Sequence, residues 1–206
     1  MVLSRQSLLD RMKPGTPWSR RLVVEPDFER TYNPSDISPS LDFHLGNRFT
    51  VLRSRHGVLH DPLSEEPRRD VVAHELFIPL GEEFSLEPGH VVLGTTLEWF
   101  RFPEDLMAYV IGRSIWGRRG LLIVTAQAVH PCSSGTITLE LSNLGEVALR
   151  LKPGASIGQL VFHQTDELQP VENISWARQS PFTCAGRPLL GKYRRSDTEN
   201  LLLKLS

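Results

Sequence analysis

Short apolar segments that recur about every ten residues, separated by glycine and proline, constrain this chain more than any other feature. They follow one another from Leu76 onward, and two of them lead into Pro-Gly turns, at Pro88-Gly89 and Pro153-Gly154. The segments are 84–86, 91–98, 107–111, 120–125, 136–142, 147–151 and 157–163. Such a series is typical of all-β sandwiches and barrels. We therefore predict an all-β fold with short helices.

The flanking parts of the chain carry weaker patterns. Leu8, Leu9 and Met12 recur at helical spacing, and either Ser4 or Ser7 could serve as the N-cap. The pattern predicts a short N-terminal helix within residues 1–15. Residues 40–51 predict extended chain with a turn at Gly46, and residues 53–75 predict a long polar excursion. Residues 166–206 are polar and weakly patterned, so we predict a mobile C-terminal tail.

Composition narrows the class of protein. The 206 residues are 40% hydrophobic and carry a net charge of −1, which is typical of a single globular domain, here 1–206. The near-neutral charge argues against a nucleic-acid-binding face, although a local basic pocket for a small anion remains compatible with it. The sequence contains no apolar run of membrane-spanning length and no signal-peptide pattern. With only Cys132 and Cys184, we expect a reduced, cytoplasmic protein.

The first candidate site is residues 112–120, called here the basic turn. It carries Arg113, Arg118 and Arg119 beside Ser114, and glycines flank the run. Arginine forks match phosphate oxygens in a bidentate geometry, so the basic turn predicts a site for a phosphate-bearing ligand. The alternative is a solvated connection between two strands, because arginine-rich turns without a ligand are common.

The second candidate is Glu140, within the alternating segment 136–142. Side chains alternate across a strand, so Leu139 and Leu141 point to one side while Thr138 and Glu140 point to the other. Glu140 is the only acid on that polar face. A carboxylate on a rigid strand suits a general base. The alternative is an ordinary solvent-facing glutamate.

The third candidate is the basic cluster at 191–195 in the tail. Lys192 and the arginines beside it suit a segment that closes over a polyphosphate and becomes ordered on binding. The alternative is a solvated basic tail.

Motifs of several other site types are missing from the sequence. Pro131-Cys132 has no nearby second cysteine of the kind a zinc deaminase needs. His74-Glu75 has no second histidine at metalloprotease spacing, and no phosphate-binding P-loop sequence occurs. The remaining histidines are scattered, and we predict no metal site.

The three candidates and the segments between them closely resemble one family, the dCTP deaminases of the dUTPase-related trimeric β fold. The resemblance covers about residues 38–195. Its landmarks are LDFHLGNRF at 41–49, GRS at 112–114, LELSN at 139–143, LKPG at 151–154, IGQL at 157–160 and GKY at 191–193. The glutamate of the LEL strand distinguishes the deaminases from plain dUTPases. The resemblance implies a distorted β-barrel of the dUTPase-like (β-clip) type.

The resemblance also implies an activity, the metal-independent hydrolytic deamination of dCTP to dUTP and ammonia. In it Glu140 is the general base that activates water for attack on cytosine C4 and then protonates the departing amine. Ser114 and Arg118 hold the water and the glutamate, and the backbone carbonyl of Ala126 positions the water. The implied substrate-binding residues are Arg113, Ser114, Gly117, Arg118, His130, Thr138, Leu139, Glu140, Phe182 and Lys192.

The same resemblance implies the partners. Mg2+ accompanies the triphosphate but takes no part in the chemistry. The ligands are dCTP and dUTP, with dTTP as an inhibitor. The protein is a homotrimer whose active sites lie between subunits.

The sequence departs from the family pattern at substrate contacts. Ile115 replaces a serine, Trp116 replaces a small aliphatic residue, and Phe182 stands for a tyrosine that stacks near the base. His130 replaces the aspartate that approaches the deoxyribose and assists the hydrolysis step in related dUTPases, so we expect dUTP rather than dUMP as the product. Two alternatives stay open, a bifunctional enzyme that forms dUMP and a non-catalytic nucleotide-binding homologue.

Overall fold

Strands dominate the computed structural model, which describes residues 1–27, 38–54, 71–124, 126–166 and 185–188. The helical elements are α1 (Arg5–Met12), a 3-10 turn (Trp18–Arg20) and α2 (Ser114–Gly117). The strands are β1 (Val23–Glu25), β2 (Ser40–His44), β3 (Arg48–Ser54), β4 (Val71–Phe77), β5 (Phe84–Leu86), β6 (Val91–Arg101), β7 (Leu106–Gly112), β8 (Leu121–Ile123), β9 (Ala128–Val129), β10 (Ser134–Asn143), β11 (Leu149–Leu151) and β12 (Ser156–Gln164). The all-β prediction is confirmed. No helix in these ranges is long and apolar enough to cross a membrane.

The described strands form three antiparallel sheets. One has the order β4-β3-β6-β10-β8, with β1 also paired to β6, and another has the order β2-β12-β7-β9. The third is the pair β11-β5. None of these described sheets closes on itself, so the predicted barrel is realised as a distorted assembly of open sheets.

The buried hydrophobic residues of the described ranges form one cluster, which draws on strands of all three sheets. Leu139 and Leu141 of β10 have 0% exposure, as the alternation along 136–142 predicts. Phe102, directly after β6, stacks on Phe162 of β12 with the ring centroids 5.6 Å apart, which packs the end of one sheet's strand against the other sheet. A register shift between Thr136 and Thr138 interrupts the pairing of β10 with β6, upstream of the buried leucines.

The N-terminal helix is confirmed, with Ser4 as its N-cap. The Ser4 hydroxyl accepts a hydrogen bond from the Ser7 amide at 3.2 Å, which satisfies one of the free donors of the first turn. Leu8 is fully buried in the core. On the same helix, Arg11 donates two hydrogen bonds to Asp105, at 2.8 and 2.7 Å, and so fastens α1 to the chain just before β7.

Local patterns miss some strands. The polar excursion predicted at 53–75 is wrong at both ends, because β3 continues to Ser54 and β4 begins at Val71, while residues 55–70 lie outside the described residues. β4 shows no burial alternation, since Ala73 through Phe77 are all exposed and backbone pairing to β3 defines the strand. β1 and β9 are too short to show a period.

Most of the predicted mobile tail, 166–206, lies outside the described residues. The described part, 185–188, contacts the large sheet. Ala185 pairs in parallel with Gly135, and its carbonyl accepts hydrogen bonds from the amide and hydroxyl of Thr136 at 3.0 and 2.9 Å. Arg187 forms an ion pair with Glu75 of β4 at 3.1 Å.

Candidate functional site

The basic turn joins β7 to β8 and is fastened to β12. Arg113 is the N-cap of α2, and its amide donates to the Ile157 carbonyl at 3.1 Å. The indole N–H of Trp116 donates to the Ser156 carbonyl at 2.8 Å. These two bonds hold the first half of the turn, from Arg113 to Trp116, against β12, which is the strand paired with β7.

A cleft of about 240 Å3 opens beside the basic turn. Its walls are mostly apolar side chains of β7 and β8, with a few polar groups at the rim. Apolar walls with convergent polar groups are typical of sites for small organic ligands. The lining residues are Val110, Ile111, Gly112, Arg113, Ser114, Trp116, Gly117, Leu121, Leu122, Ile123, Gln127 and Ile157.

Arg113 is the most constrained cation at the cleft. Its Nη1 donates to Asp42 Oδ2 at 2.8 Å and to Ser156 Oγ at 2.6 Å. Neither partner was predicted as a site residue, because the contacts join positions 71 and 43 residues apart in the chain. Asp42 lies inside a recognised landmark of the sequence, but nothing in its local pattern points to Arg113.

Arg118 and Ser114 are exposed on the same turn. Within the described part of the chain, the Arg118 guanidinium has no hydrogen-bond or ion-pair partner, which leaves it open to an anion. Gly117 faces open space, since a Cβ there would meet no atom within 4 Å. The structure therefore brings Arg113, Ser114, Gly117 and Arg118 together on one accessible surface.

Glu140 is half-buried on β10, between β6 and β8. Its Cα pairs with that of Leu93, and its carbonyl accepts a hydrogen bond from the Val124 amide at 2.8 Å. Cross-strand partners share a face, so Glu140 lies beside Leu93 on the side of the sheet opposite Leu139 and Leu141. Glu140 does not line the cleft. One chain therefore does not assemble the predicted base and the basic turn around this one cavity.

The other predicted residues occupy several environments. Ala126 and His130 are exposed on either side of β9, and Thr138 is half-buried beside Thr95. The Leu139 side chain lies in the core at 0% exposure, so any contact of this residue with a substrate runs through its backbone.

Phe182 and Lys192 lie outside the described residues, and their contacts to base and triphosphate stay predictions. In the described ranges, no three His, Cys, Asp or Glu side chains are grouped so that they could hold a metal ion. The binding of Mg2+ with the triphosphate likewise stays a prediction. Cys132 is a half-buried free thiol.

His44, two residues after Asp42 on β2, forms a hydrogen-bonded pair with the buried Glu98. Glu98 is 1% exposed and accepts hydrogen bonds from the His44 amide, at 3.1 and 3.0 Å, and from the ring nitrogen Nδ1. The hydrogen bond to Glu98 raises the pKa of His44 above its ordinary value, although burial acts in the opposite direction. The protonated form of His44 is therefore more stable here than in a free imidazole, and Asp42 acts in the same direction.

Comparison with known proteins finds sequence similarity over most of this chain. The sequence model of the dCTP deaminase-like family matches residues 2–165. A dCTP deaminase of Halorubrum lacusprofundi is 42% identical over 165 residues, which are 79% of this chain and 76% of that protein. A dUMP-forming dCTP deaminase of Dictyoglomus thermophilum is 37% identical over 167 residues, 80% of each chain.

A solved structure shares the fold. The 2'-deoxycytidine 5'-triphosphate deaminase from Agrobacterium tumefaciens superposes with a TM-score of 0.55 at 18% identity, over 88% of this chain and 53% of that one. At that identity the likeness concerns the fold alone. The family match and the sequence identity to the relatives together show that this chain belongs to the dCTP deaminase-like family.

Proposed function

We propose that this protein hydrolyses dCTP to dUTP and ammonia. The observation that carries the proposal is a glutamate on a rigid central strand, Glu140, in a chain that is 42% identical to a dCTP deaminase over 165 residues. The product is a precursor of dTTP. A cytoplasmic setting fits this role, and the free thiol of Cys132 is compatible with a reducing compartment.

Glu140 supplies the proton transfers in this proposal. Its carboxylate takes a proton from water as the water oxygen forms a bond to cytosine C4. The protonated Glu140 then gives that proton to the exocyclic amine. The C4–N bond breaks and ammonia leaves. The remaining hydroxyl proton moves to N3, which gives the C4 carbonyl and the N3–H of uracil. The proposal assigns no metal ion to these steps.

The other site residues hold the reactants. Ser114, Arg118 and the carbonyl of Ala126 hold the water and the glutamate. Arg113, Ser114 and Lys192 bind the triphosphate, which carries Mg2+. Guanidinium and ammonium groups pair with phosphate oxygens, and the serine hydroxyl can donate a hydrogen bond to them. Contacts to the nucleoside come from the remaining predicted residues, Gly117, His130, Thr138, Leu139 and Phe182.

We also propose a homotrimer with active sites between subunits. Glu140 does not line the cleft at the basic turn, which fits a site completed by another copy of the chain. Apolar side chains stay exposed around that cleft, at 42% for Ile111, 46% for Leu122 and 52% for Val124. Exposed apolar patches are typical of subunit interfaces. Light scattering after size exclusion tests this, with a mass three times 23.3 kDa expected.

Proton NMR of the protein with dCTP and magnesium tests the activity, with dCMP, dCDP and dUTP in parallel samples. We expect dCTP to become dUTP. Glu140→Gln should lose essentially all turnover and keep dCTP binding, because the amide cannot accept the proton from water. Glu87→Gln is the matched control, since Glu87 is exposed and its carboxylate accepts a hydrogen bond only from the Ser85 hydroxyl among the described residues. No turnover by a folded wild-type trimer would favour the non-catalytic homologue.

One observation favours dUMP as an alternative product, namely that a relative at 37% identity is a dUMP-forming dCTP deaminase. Phosphorus NMR separates the possibilities. Direct formation of dUMP and pyrophosphate from dCTP would identify a bifunctional enzyme, whereas accumulation of dUTP identifies a deaminase alone. Adding dTTP to the same assay tests it as an inhibitor.

A further inference from the structure

Arg113 is held by one nitrogen only. Both of its recorded side-chain hydrogen bonds leave from Nη1, to Asp42 and to Ser156. The N–H groups on Nε and Nη2 have no partner within the described residues. These two nitrogens form the edge of a guanidinium that binds phosphate in a bidentate way.

We propose that Asp42 and Ser156 are positioning residues that hold Arg113 by Nη1 so that its Nε/Nη2 edge is presented to the triphosphate. The inference rests on the proposed function, since it concerns the same substrate. It adds two residues that do not themselves touch the nucleotide.

The sheet order brings the three residues together. β12 lies between β2 and β7, so the end of β7 reaches across β12 to β2. Gly112 pairs with Gly158, and Asp42 pairs with Gln159, which places Arg113 and Asp42 on opposite sides of the first residues of β12. Ser156 stands between them and also donates to Asp42 Oδ2 at 3.2 Å.

Ser156 links the guanidinium to the backbone of the basic turn. Its hydroxyl contacts Arg113 and Asp42, and its carbonyl accepts the indole N–H of Trp116 at 2.8 Å. Any shift of the start of β12 therefore moves the Arg113 head group and α2 together. An arrangement of this kind fixes an arginine in both position and orientation.

The ion pair between Arg113 and Asp42 contributes little to the free energy of unfolding. The side chains of Arg113 and Asp42 are 42% and 45% exposed, and ion pairs at that exposure contribute about 1 kcal/mol or less. Loss of Asp42 should therefore leave the protein folded. The loss of Asp42 should instead lower the affinity for the phosphate-bearing ligand that Arg113 binds.

Asp42→Asn and Ser156→Ala test the proposal by calorimetric titration with dCTP and with dCMP. We expect each variant to weaken dCTP about tenfold, the size of one lost charge-assisted bond, and dCMP less than twofold. Ser156→Ala changes no charge, so it separates positioning from the electrostatic effect of removing a carboxylate. Glu83→Gln, which removes exposed ion pairs with Arg150 and Lys152, is the control and should change the affinity for neither ligand.

Arg113→Lys completes the test. A lysine has no fork to orient, so Asp42→Asn should change dCTP affinity less than twofold in that background. The proposal is overturned if the variants weaken dCTP and dCMP equally, if dCTP affinity is unchanged, or if Asp42→Asn tightens it.

Binding of inorganic tripolyphosphate separates this proposal from the activity. If wild-type protein does not deaminate dCTP, the proposed function fails. The positioning proposal still requires that wild type binds tripolyphosphate and that Asp42→Asn weakens it about tenfold. Absence of tripolyphosphate binding by wild type would overturn it.

Discussion

The buried pair between Arg11 and Asp105 should dominate the stability of the N-terminal helix. Asp105 is 4% exposed at its side chain and Arg11 13%, and two hydrogen bonds of 2.8 and 2.7 Å join them. Removing one partner of such a pair costs about 3–5 kcal/mol, because the other charge stays buried. Arg20, 3.6 Å from Asp105, compensates in part, so we expect about 3 kcal/mol for Arg11→Met.

That loss corresponds to a fall in Tm of about 6–12 °C for a chain of this length. Differential scanning calorimetry and urea unfolding measure it directly. Lys13→Met is the matched control on the same segment, since Lys13 pairs with Asp10 at 2.6 Å but both side chains are more than half exposed, at 64% and 52%. We expect less than about 1 kcal/mol for that variant.

The pair also predicts a dependence on pH. Burial alone would raise the pKa of Asp105, but the hydrogen bond and charge of Arg11, with Arg20, lower it below its ordinary value. A lowered pKa in the folded state means that the stabilisation is present above the unfolded value of about 3.9 and is lost as pH falls toward the folded pKa. Urea titrations from pH 7 to pH 3 should show this loss in wild type and a weaker one in Arg11→Met.

The double variant Arg11→Met/Asp105→Leu tests whether the unpaired buried charge explains the loss of stability. Removing both charges should recover part of the lost stability, because no buried charge remains unpaired. A Tm for Arg11→Met within about 2 °C of wild type would show that the pair stabilises little. A double variant less stable than either single variant would show that packing, rather than the unpaired charge, explains the loss.

Two further perturbations test the packing around Gly158 and the pair between His44 and Glu98. Gly158→Ala should lower the free energy of unfolding in urea by about 3 kcal/mol, since the new Cβ would overlap the buried Phe43 ring and lie 2.9 Å from the Ile111 carbonyl oxygen. Gly117→Ala is the control and should cost far less, because a Cβ there would meet no atom within 4 Å. Glu98 raises the pKa of His44 in the folded state. The stabilisation of the fold by this pair should therefore be complete below about pH 6.5 and be lost as pH rises through the folded pKa. His44→Gln should remove that slope, and an unchanged slope would contradict the assignment.

Local chemistry was enough to predict most of the strands. The alternation at 136–142 and the Pro-Gly turns are properties of neighbouring residues, so β5, β6, β10 and β12 follow from the sequence. β4 could not be predicted in this way, because it is exposed on both faces and exists through its pairing with β3. The division of the described strands among three open sheets could not be predicted locally either, because it depends on long-range strand pairing that no local pattern records.

The sequence by itself determined the basic turn, the glutamate on a strand and the family resemblance, because each is carried by residue types at short spacing. Only the tertiary structure decided what surrounds them. Asp42 and Ser156 lie 114 residues apart, and they meet at Arg113 because β12 pairs with both β2 and β7. The placement of Glu140 outside the cleft likewise follows from sheet order. Contacts of this range depend on strand pairing across the whole fold, which sequence periodicity does not encode.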